Sequence, residues 1–456
     1  MCAKRTIPAD PQLDQEFDKA FEQIQELVDL SQADALFPAH PNAVYTTSVV
    51  LWMLVYQRMN PDASLEAAVK KLLDSKPELL PDNKRVSEGT LSLNTGAYSR
   101  ARTRLPCSVA EWFARQVSQS MIEASPMSFQ DRRVFMIDGT TITLAPETEL
   151  QKLYPPASNQ YGEGVWPVAL LVVAHELSSG AALVPEVGAM YGPEAVSETA
   201  LIDNCLTQMP PDSIVMADAG YGIFSVAHKV QQADLSFLFR LSKQRFDRLR
   251  KSATLVDEGA NWKTWSCQWQ PSPSERKKHP ELPADAVLSV QLHEFETDEG
   301  KPLYLVTSLD ESVEMLSDLY ARRTDVETDI RNIKVVLDTE NIRARGVEMF
   351  HKELMTSMVA YNLIVQFRRQ AAELVKVPPR RMSFKRICTT FRQFLLSSMY
   401  TTAADWRERY RFALGIALQD KLPNRPGRKY PREAYRRRTK STHFKKREKR
   451  SDAEDE

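Results

Sequence analysis

Near the start of the chain, apolar side chains recur three or four residues apart, at Phe17, Phe21, Ile24 and the Leu27–Val28 pair, and the segment Ser64–Leu73 repeats the spacing. That period predicts helices. Ser108 and Glu111, following Pro106, read as a capping box that opens another helix through Trp112, Phe113 and Val117. Just before it, Tyr98–Arg104 carries Arg100, Arg102 and Arg104, so the helical start could hold DNA or present a solvated helix end. Near residue 134 the period changes. Val134–Ile137 is a short apolar run ending at Asp138, Gly139 follows, and Thr141–Leu144 alternates, which predicts strand, turn, strand. Further strands are expected at 168–174, 182–189, 213–217 and 235–241, with helices at 198–209 and 224–232. That mixture predicts an α/β sheet domain.

From Ser242 to Gly300 the chain becomes charged, Trp-containing and strand-rich, with a breaker-heavy loop from Pro271 to Pro283. After Ser312 the helical period returns, through about Asp338 and again from Met349 to Lys376. The expected organisation is a helical DNA-binding segment at 1–125, a first core segment at 126–241 and a strand-rich insertion at 242–307. A second core segment at 308–378, a helical region at 379–424 and a basic tail at 425–456 that ends in an acidic cluster complete it.

Composition narrows the class. With 456 residues, 43% hydrophobic and 26% charged, the chain is long enough for two or three packed units. The longest uncharged stretch, Asn42–Gln57, is broken by polar residues, too short and too polar to span a bilayer. No secretory signal is expected at the start. Five cysteines lie far apart with no CxxC spacing, which argues against a disulfide scaffold or a structural zinc site and fits a reducing cytoplasm. Zero net charge hides an asymmetry: Arg425–Arg450, including Arg428 and Arg432, holds 13 Lys/Arg against two acids. Such a run reads as a polyanion-binding tail or as a solvated terminus.

Two acids, Asp138 and Asp218, fall at the expected carboxyl ends of strands, the rim where open α/β sheets bind ligands. A third candidate sits on the helix around Tyr320. At about 100° per residue, Tyr320, Arg323, Glu327, Arg331 and Lys334 share a stripe about 80° wide. Beside it runs an apolar stripe of Leu319, Val326, Ile330, Ile333 and Leu337, able to dock the helix on the sheet. Intrahelical ion pairing alone would account for the charges, at a few tenths of a kcal/mol each. It would not explain why they border the apolar stripe.

Three motifs in order carry a resemblance: Asp138-Gly-Thr-Thr, Ala217-Asp218-Ala-Gly-Tyr-Gly, and Tyr320-x-x-Arg323-x-x-x-Glu327 followed by six residues and Lys334. Together they resemble the DDE transposases of bacterial insertion sequences, in the group known as the insertion-sequence-four family, over roughly residues 95–440. The Tyr-Arg-Glu-Lys spacing is that group's signature. The resemblance implies an α/β, ribonuclease-H-like mixed sheet with flanking helices, interrupted by the insertion and preceded by the helical domain. It implies that Asp138, Asp218 and Glu327 hold two Mg²⁺, with Mn²⁺ able to substitute, since oxygen-only ligands select hard cations. Tyr320, Arg323, Arg331 and Lys334 would grip phosphates, and an insertion tryptophan, among Trp262, Trp265 and Trp269, would stack on a flipped base or serve as core. The implied partners are terminal inverted repeats and target DNA, bound by a homodimer in the nucleoid without membrane contact. A catalytically retired DNA-binding derivative and a purely hydrolytic nuclease are the alternatives.

Overall fold

A computed structural model describes residues 11–27, 29–60, 64–75, 80–159, 162–297, 300–336, 342, 344–398 and 403–423. The basic tail, with Arg428 and Arg432, lies outside the described residues, as do Val28 and Leu337.

Among the described residues ten strands build one mixed sheet: β1 (Val134–Thr143), β2 (Pro156–Asn159), β3 (Gly162–Glu176), β4 (Glu186–Ala189), β5 (Ile214–Ala217), β6 (Ser236–Arg240), β7 (Thr254–Glu258), β8 (Trp262–Trp269), β9 (Leu288–Glu296) and β10 (Pro302–Thr307). Their order is β2-β3-β1-β5-β6-β10-β9-β8-β7, with β4 against β3. β1 runs antiparallel to β3 and parallel to β5, which is parallel to β6. This is the mixed sheet with flanking helices expected of a ribonuclease-H-like core. β10 returns antiparallel to β6, so the strands of segment 242–307 continue the sheet outward.

Gly139 does not turn the chain. Residues 134–143 form one strand, because β3 pairs with them from Phe135 opposite Glu176 to Thr143 opposite Val168. The unbroken ladder keeps Gly139 extended opposite Val172. Asp138 therefore stands within a strand that outruns its parallel neighbour β5.

Alternation along the central strands sorts their side chains onto two faces. Val134 and Met136 of β1 and Ile214 and Met216 of β5 join Leu316, Leu319, Tyr320, Val326 and Ile330 in one apolar layer. Phe135, Ile137, Val215 and Ala217 face the opposite, larger core. That core is organised around the helix Val347–Leu374, buried along most of its length. It packs against Cys107–Glu123, Thr47–Met59 and Pro11–Leu27 from the start of the chain and Phe384–Ser398 from its end. Phe21 meets Trp406 edge-on at 5.2 Å, and Phe367 meets Tyr410 at 5.5 Å. The early helices are thus one wall of a bundle completed by later ones.

Three expected elements differ in detail. The helix after Pro106 spans Cys107–Glu123 with no side-chain cap; Ser108 lies inside its first turn, and Glu111 pairs with Arg115 at 2.7 Å. Residues 198–209 hold a 3₁₀ turn, Glu198–Ala200, and a short helix, Asp203–Leu206, because Leu201 and Ile202 drop into the core between them. The helix around Tyr320 is not continuous: Val313–Ala321 gives way to Thr324–Arg331 and then to a π-helical turn, Asn332–Val336. On a straight helix Tyr320 and Val326 would point about 120° apart. The break lets both be buried, at 6% and 0% exposure. Among the described residues no helix is long and apolar enough to cross a membrane.

Candidate active site

Parallel pairing of β1 and β5 ends at Met136 opposite Met216. Two residues further along each chain come Asp138 and Asp218, so the same alternation that buries Val134, Met136, Ile214 and Met216 turns both carboxylates toward the layer covered by the Glu327 helix. Asp138 Oδ1 accepts the Gly139 amide at 2.8 Å. Asp218 Oδ1 accepts the Gly220 amide at 2.8 Å, and the Tyr221 amide returns to the Asp218 carbonyl at 3.2 Å; such an Asx turn fixes the carboxylate as the chain leaves the strand. Arg245 donates to the carbonyls of Ala219 and Gly222 and holds this loop from outside. Residue 222 must be glycine, because a Cβ there would meet the Arg240 carbonyl at 2.3 Å.

Glu327 comes from Thr324–Arg331, whose buried Val326 and Ile330 sit on the sheet. Arg323 Nη2 donates to Glu327 Oε1 at 2.7 Å, leaving Glu327 more than half exposed. Burial raises the Asp138 carboxyl above its ordinary range, and the charges of Asp218 and Glu327 push the same way against the Gly139 amide and Arg323. Asp218 and Glu327, the other two acids expected from the sequence, therefore both lie within electrostatic reach of Asp138. Among the described residues no three His, Cys, Asp or Glu side chains already form a closed metal cage. The fit to a hard divalent cation rests on the donors, oxygen only and mutually repelling, with Glu327 paired to Arg323 and more than half exposed.

The remaining candidates separate. Tyr320 is buried, and its hydroxyl approaches the Ala217 carbonyl at 3.5 Å, with burial pushing its pKa up to about 12. Arg331 is exposed, and Lys334 is half-buried in the π turn. Trp265 belongs to the core of the outer strands, edge-on to Phe246 at 5.5 Å, and Trp269 packs edge-on to Phe224 at 5.7 Å. Trp262 is half-buried against the apolar layer beneath the Glu327 helix.

Two features were not read from the sequence. Glu198, in the 3₁₀ turn, fills the space beside Gly139: a Cβ at residue 139 would lie 2.2 Å from Glu198 Cδ. Only the glycine after Asp138 hinted at that close approach. Asp329, fully buried two residues past Glu327, pairs with Arg380 and faces Arg368; no motif marks it.

The family described as "Transposase DDE domain" matches residues 129–363, slightly more than half of the chain. The chain belongs to the DDE transposase-domain family. The matched span of this transposase runs from just before β1 to the middle of the helix Val347–Leu374, and so contains all three carboxylates. Among solved structures it is similar to a piggyBac transposase synaptic complex with hairpin DNA, at 10% identity and a TM-score of 0.40, over 91% of this chain and 86% of that one. No curated protein matches the chain.

Proposed function

We propose that the protein is an insertion-sequence transposase of the insertion-sequence-four group, which cleaves the ends of its element and joins the freed 3′-hydroxyl to target DNA in a cut-and-paste reaction. The observation that carries this reading is the register of β1 and β5, which points Asp138 and Asp218 toward the face that receives Glu327. Asp138, Asp218 and Glu327 would hold two Mg²⁺. When bound, such a pair activates the attacking oxygen and stabilises the leaving one in an in-line phosphoryl displacement.

The chain's own residues prepare that chemistry. The Gly139 and Gly220 amides orient the two aspartates. Arg323 holds Glu327 aside and, once Glu327 turns inward, is left to meet a phosphate with a charge-assisted bond. Lys334 and Arg331 extend that phosphate grip along the helix. Trp262, at the start of β8, is the insertion tryptophan with surface left for a displaced base. Arg428, Arg432 and the rest of the basic tail would add sequence-independent contacts, and a homodimer would bring two element ends together. Retention of all three acids supports this reading over a retired DNA-binding derivative, because repelling carboxylates are costly to keep without cations. Incubation with Mg²⁺ and the element's terminal DNA should yield both cleaved and joined products. Cleavage without joining would leave only a nuclease, and binding without either would leave the retired derivative.

A further inference from the structure

A fourth carboxylate borders the first three. Glu198 lies on no strand of the sheet, yet its side chain reaches across to the backbone directly after Asp138, into space that exists only because residue 139 is glycine. Among the described residues no Lys or Arg pairs with it. Burial first, and then the charges of Asp138 and Asp218, raise its carboxyl above the ordinary range, while the Tyr221 side chain pulls the other way. The Tyr221 hydroxyl lies close to Glu198. It is 1% exposed, lacks a well-formed hydrogen bond, and also faces Asp138 and Asp218.

This is an expensive arrangement. A half-buried carboxylate without a cation, beside two more, repels both and loses solvation. Glu198 also lines a cavity of about 520 Å³ that it shares with Arg245, Arg248 and Lys278. Its carboxyl nonetheless lies against Gly139, the residue directly after Asp138. Two divalent cations bring four positive charges, against three negative ones from Asp138, Asp218 and Glu327. A fourth carboxylate balances that count, and small hard cations take about six oxygen ligands each.

We infer that Glu198 is a fourth acidic ligand of the divalent-metal site, acting directly or through a metal-bound water, and that Gly139 is required so that Glu198 can reach it. The inference rests on the metal-dependent reading of Asp138 and Asp218. It adds that this chain's affinity and capacity for the metal depend on a residue outside the three-carboxylate set.

Mn²⁺ alone is the probe, titrated into the full-length protein without DNA and followed by calorimetry and by the electron-paramagnetic signal of free Mn²⁺. Glu198→Gln keeps the shape and removes the charge. Gly139→Ala keeps every charge and evicts Glu198. Each should weaken Mn²⁺ binding by roughly 10–100-fold, the range seen when a group supporting a metal site is lost, and should shrink the metal-induced rise in melting temperature. Glu194→Gln, at an exposed glutamate four residues upstream, should bind like wild type. Melting without metal shows whether each variant is folded, and Glu198→Gln should melt no lower than wild type because it relieves repulsion. Asp138→Asn separates the two ideas. If it loses Mn²⁺ while Glu198→Gln binds with wild-type affinity and stoichiometry, the fourth ligand is refuted and the three-acid reading stands. If the wild type takes up no Mn²⁺, both fall.

Discussion

Arg380 Nη2 donates to Asp329 Oδ2 at 2.7 Å, and this bond ties the helix that carries Glu327 to the segment following the long bundle helix. Asp329 has no exposed surface, and Arg368, nearly as buried, faces its other oxygen at 4.0 Å. Arg380 also donates to the Leu177 carbonyl at 2.7 Å, just past the end of β3. One arginine therefore clamps the Glu327 helix to the strand beside β1. Breaking a buried pair leaves an uncompensated charge, which typically costs about 3–5 kcal/mol. Asp329→Ala should destabilise the protein by that order in denaturant unfolding. A loss under about 1 kcal/mol would show that the clamp is not closed in solution.

Asp138→Asn should behave in the opposite way. Burial and two neighbouring acids disfavour its charge, so neutralising it should leave melting without metal unchanged or raised. Cleavage should fall by roughly 10³-fold or more, since metal stabilisation of the displacement is worth several kcal/mol at 1.36 kcal/mol per decade. Glu327→Ala should lose cleavage similarly while keeping DNA affinity. Appreciable residual cleavage by Glu327→Ala would remove Glu327 from the metal set.

Mn²⁺ should replace Mg²⁺ in supporting cleavage, and a zinc-selective chelator at low concentration should have no effect. The reason is the oxygen-only donor set, with the four described cysteines free of disulfides and three of them buried. Activity lost to that chelator and restored by zinc would contradict it.

Acid should destabilise the fold through its buried histidines. His175 is fully enclosed beneath the Asp329 cluster, and burial lowers its pKa from 6.5 to about 4, with His293 lowered to about 4 as well. In the unfolded chain these rings take up a proton near pH 6.5, while the folded protein keeps them neutral. The stability they lend is thus complete above that pH and is lost as pH falls from about 6.5 toward 4. For His175 the shift corresponds to roughly 3 kcal/mol at 1.36 kcal/mol per unit. His175→Phe should flatten the decline in melting temperature between pH 7 and pH 4.5. An unchanged decline would mean that His175 reaches solvent.

Truncation after Asn424 tests the tail. Each phosphate contact contributes about 0.9 to the log–log salt slope, so if about half of the 13 cations engage, truncation should flatten it by roughly 5–6 units. The ratio of specific to non-specific affinity should hardly move, because phosphate contacts carry no sequence information. A salt titration of both proteins on matched and scrambled end DNA measures this. An unmoved slope means an idle tail; selective loss on matched ends means that it reads sequence.

How much of this was visible beforehand depended on the range of the signal. The apolar runs 134–137 and 213–217 and the acids that close them are local, so the strands and their aspartates could be read directly. Gly139 misled, because its extended conformation is imposed by β3, some thirty residues downstream. The helix break at Arg322–Arg323 was hidden for a similar reason: helical period continues through it, and only the need to bury both Tyr320 and Val326 bends the chain. The continuity of β7–β10 with the central sheet was invisible, since composition changes sharply at residue 242 and pairing partners leave no mark in composition. Glu198 and Asp329 belong to no spacing rule, as each is defined by what folds against it.

The π-helical turn changes what the six-residue interval between Glu327 and Lys334 measures. In a turn closed by i→i+5 bonds each residue advances the chain through a smaller angle than in an α-helix, so Lys334 lags behind the position that counting by 3.6 assigns it. The turn is a residue of slack stored beside the chemistry. Deleting one residue between Asn332 and Val336 would let the backbone relax to an ordinary helix, swing the ammonium group around the axis and leave every acid in place. The six-residue interval is therefore a rotational setting, and a chain that kept all four residues while losing the slack would point its lysine in a different direction.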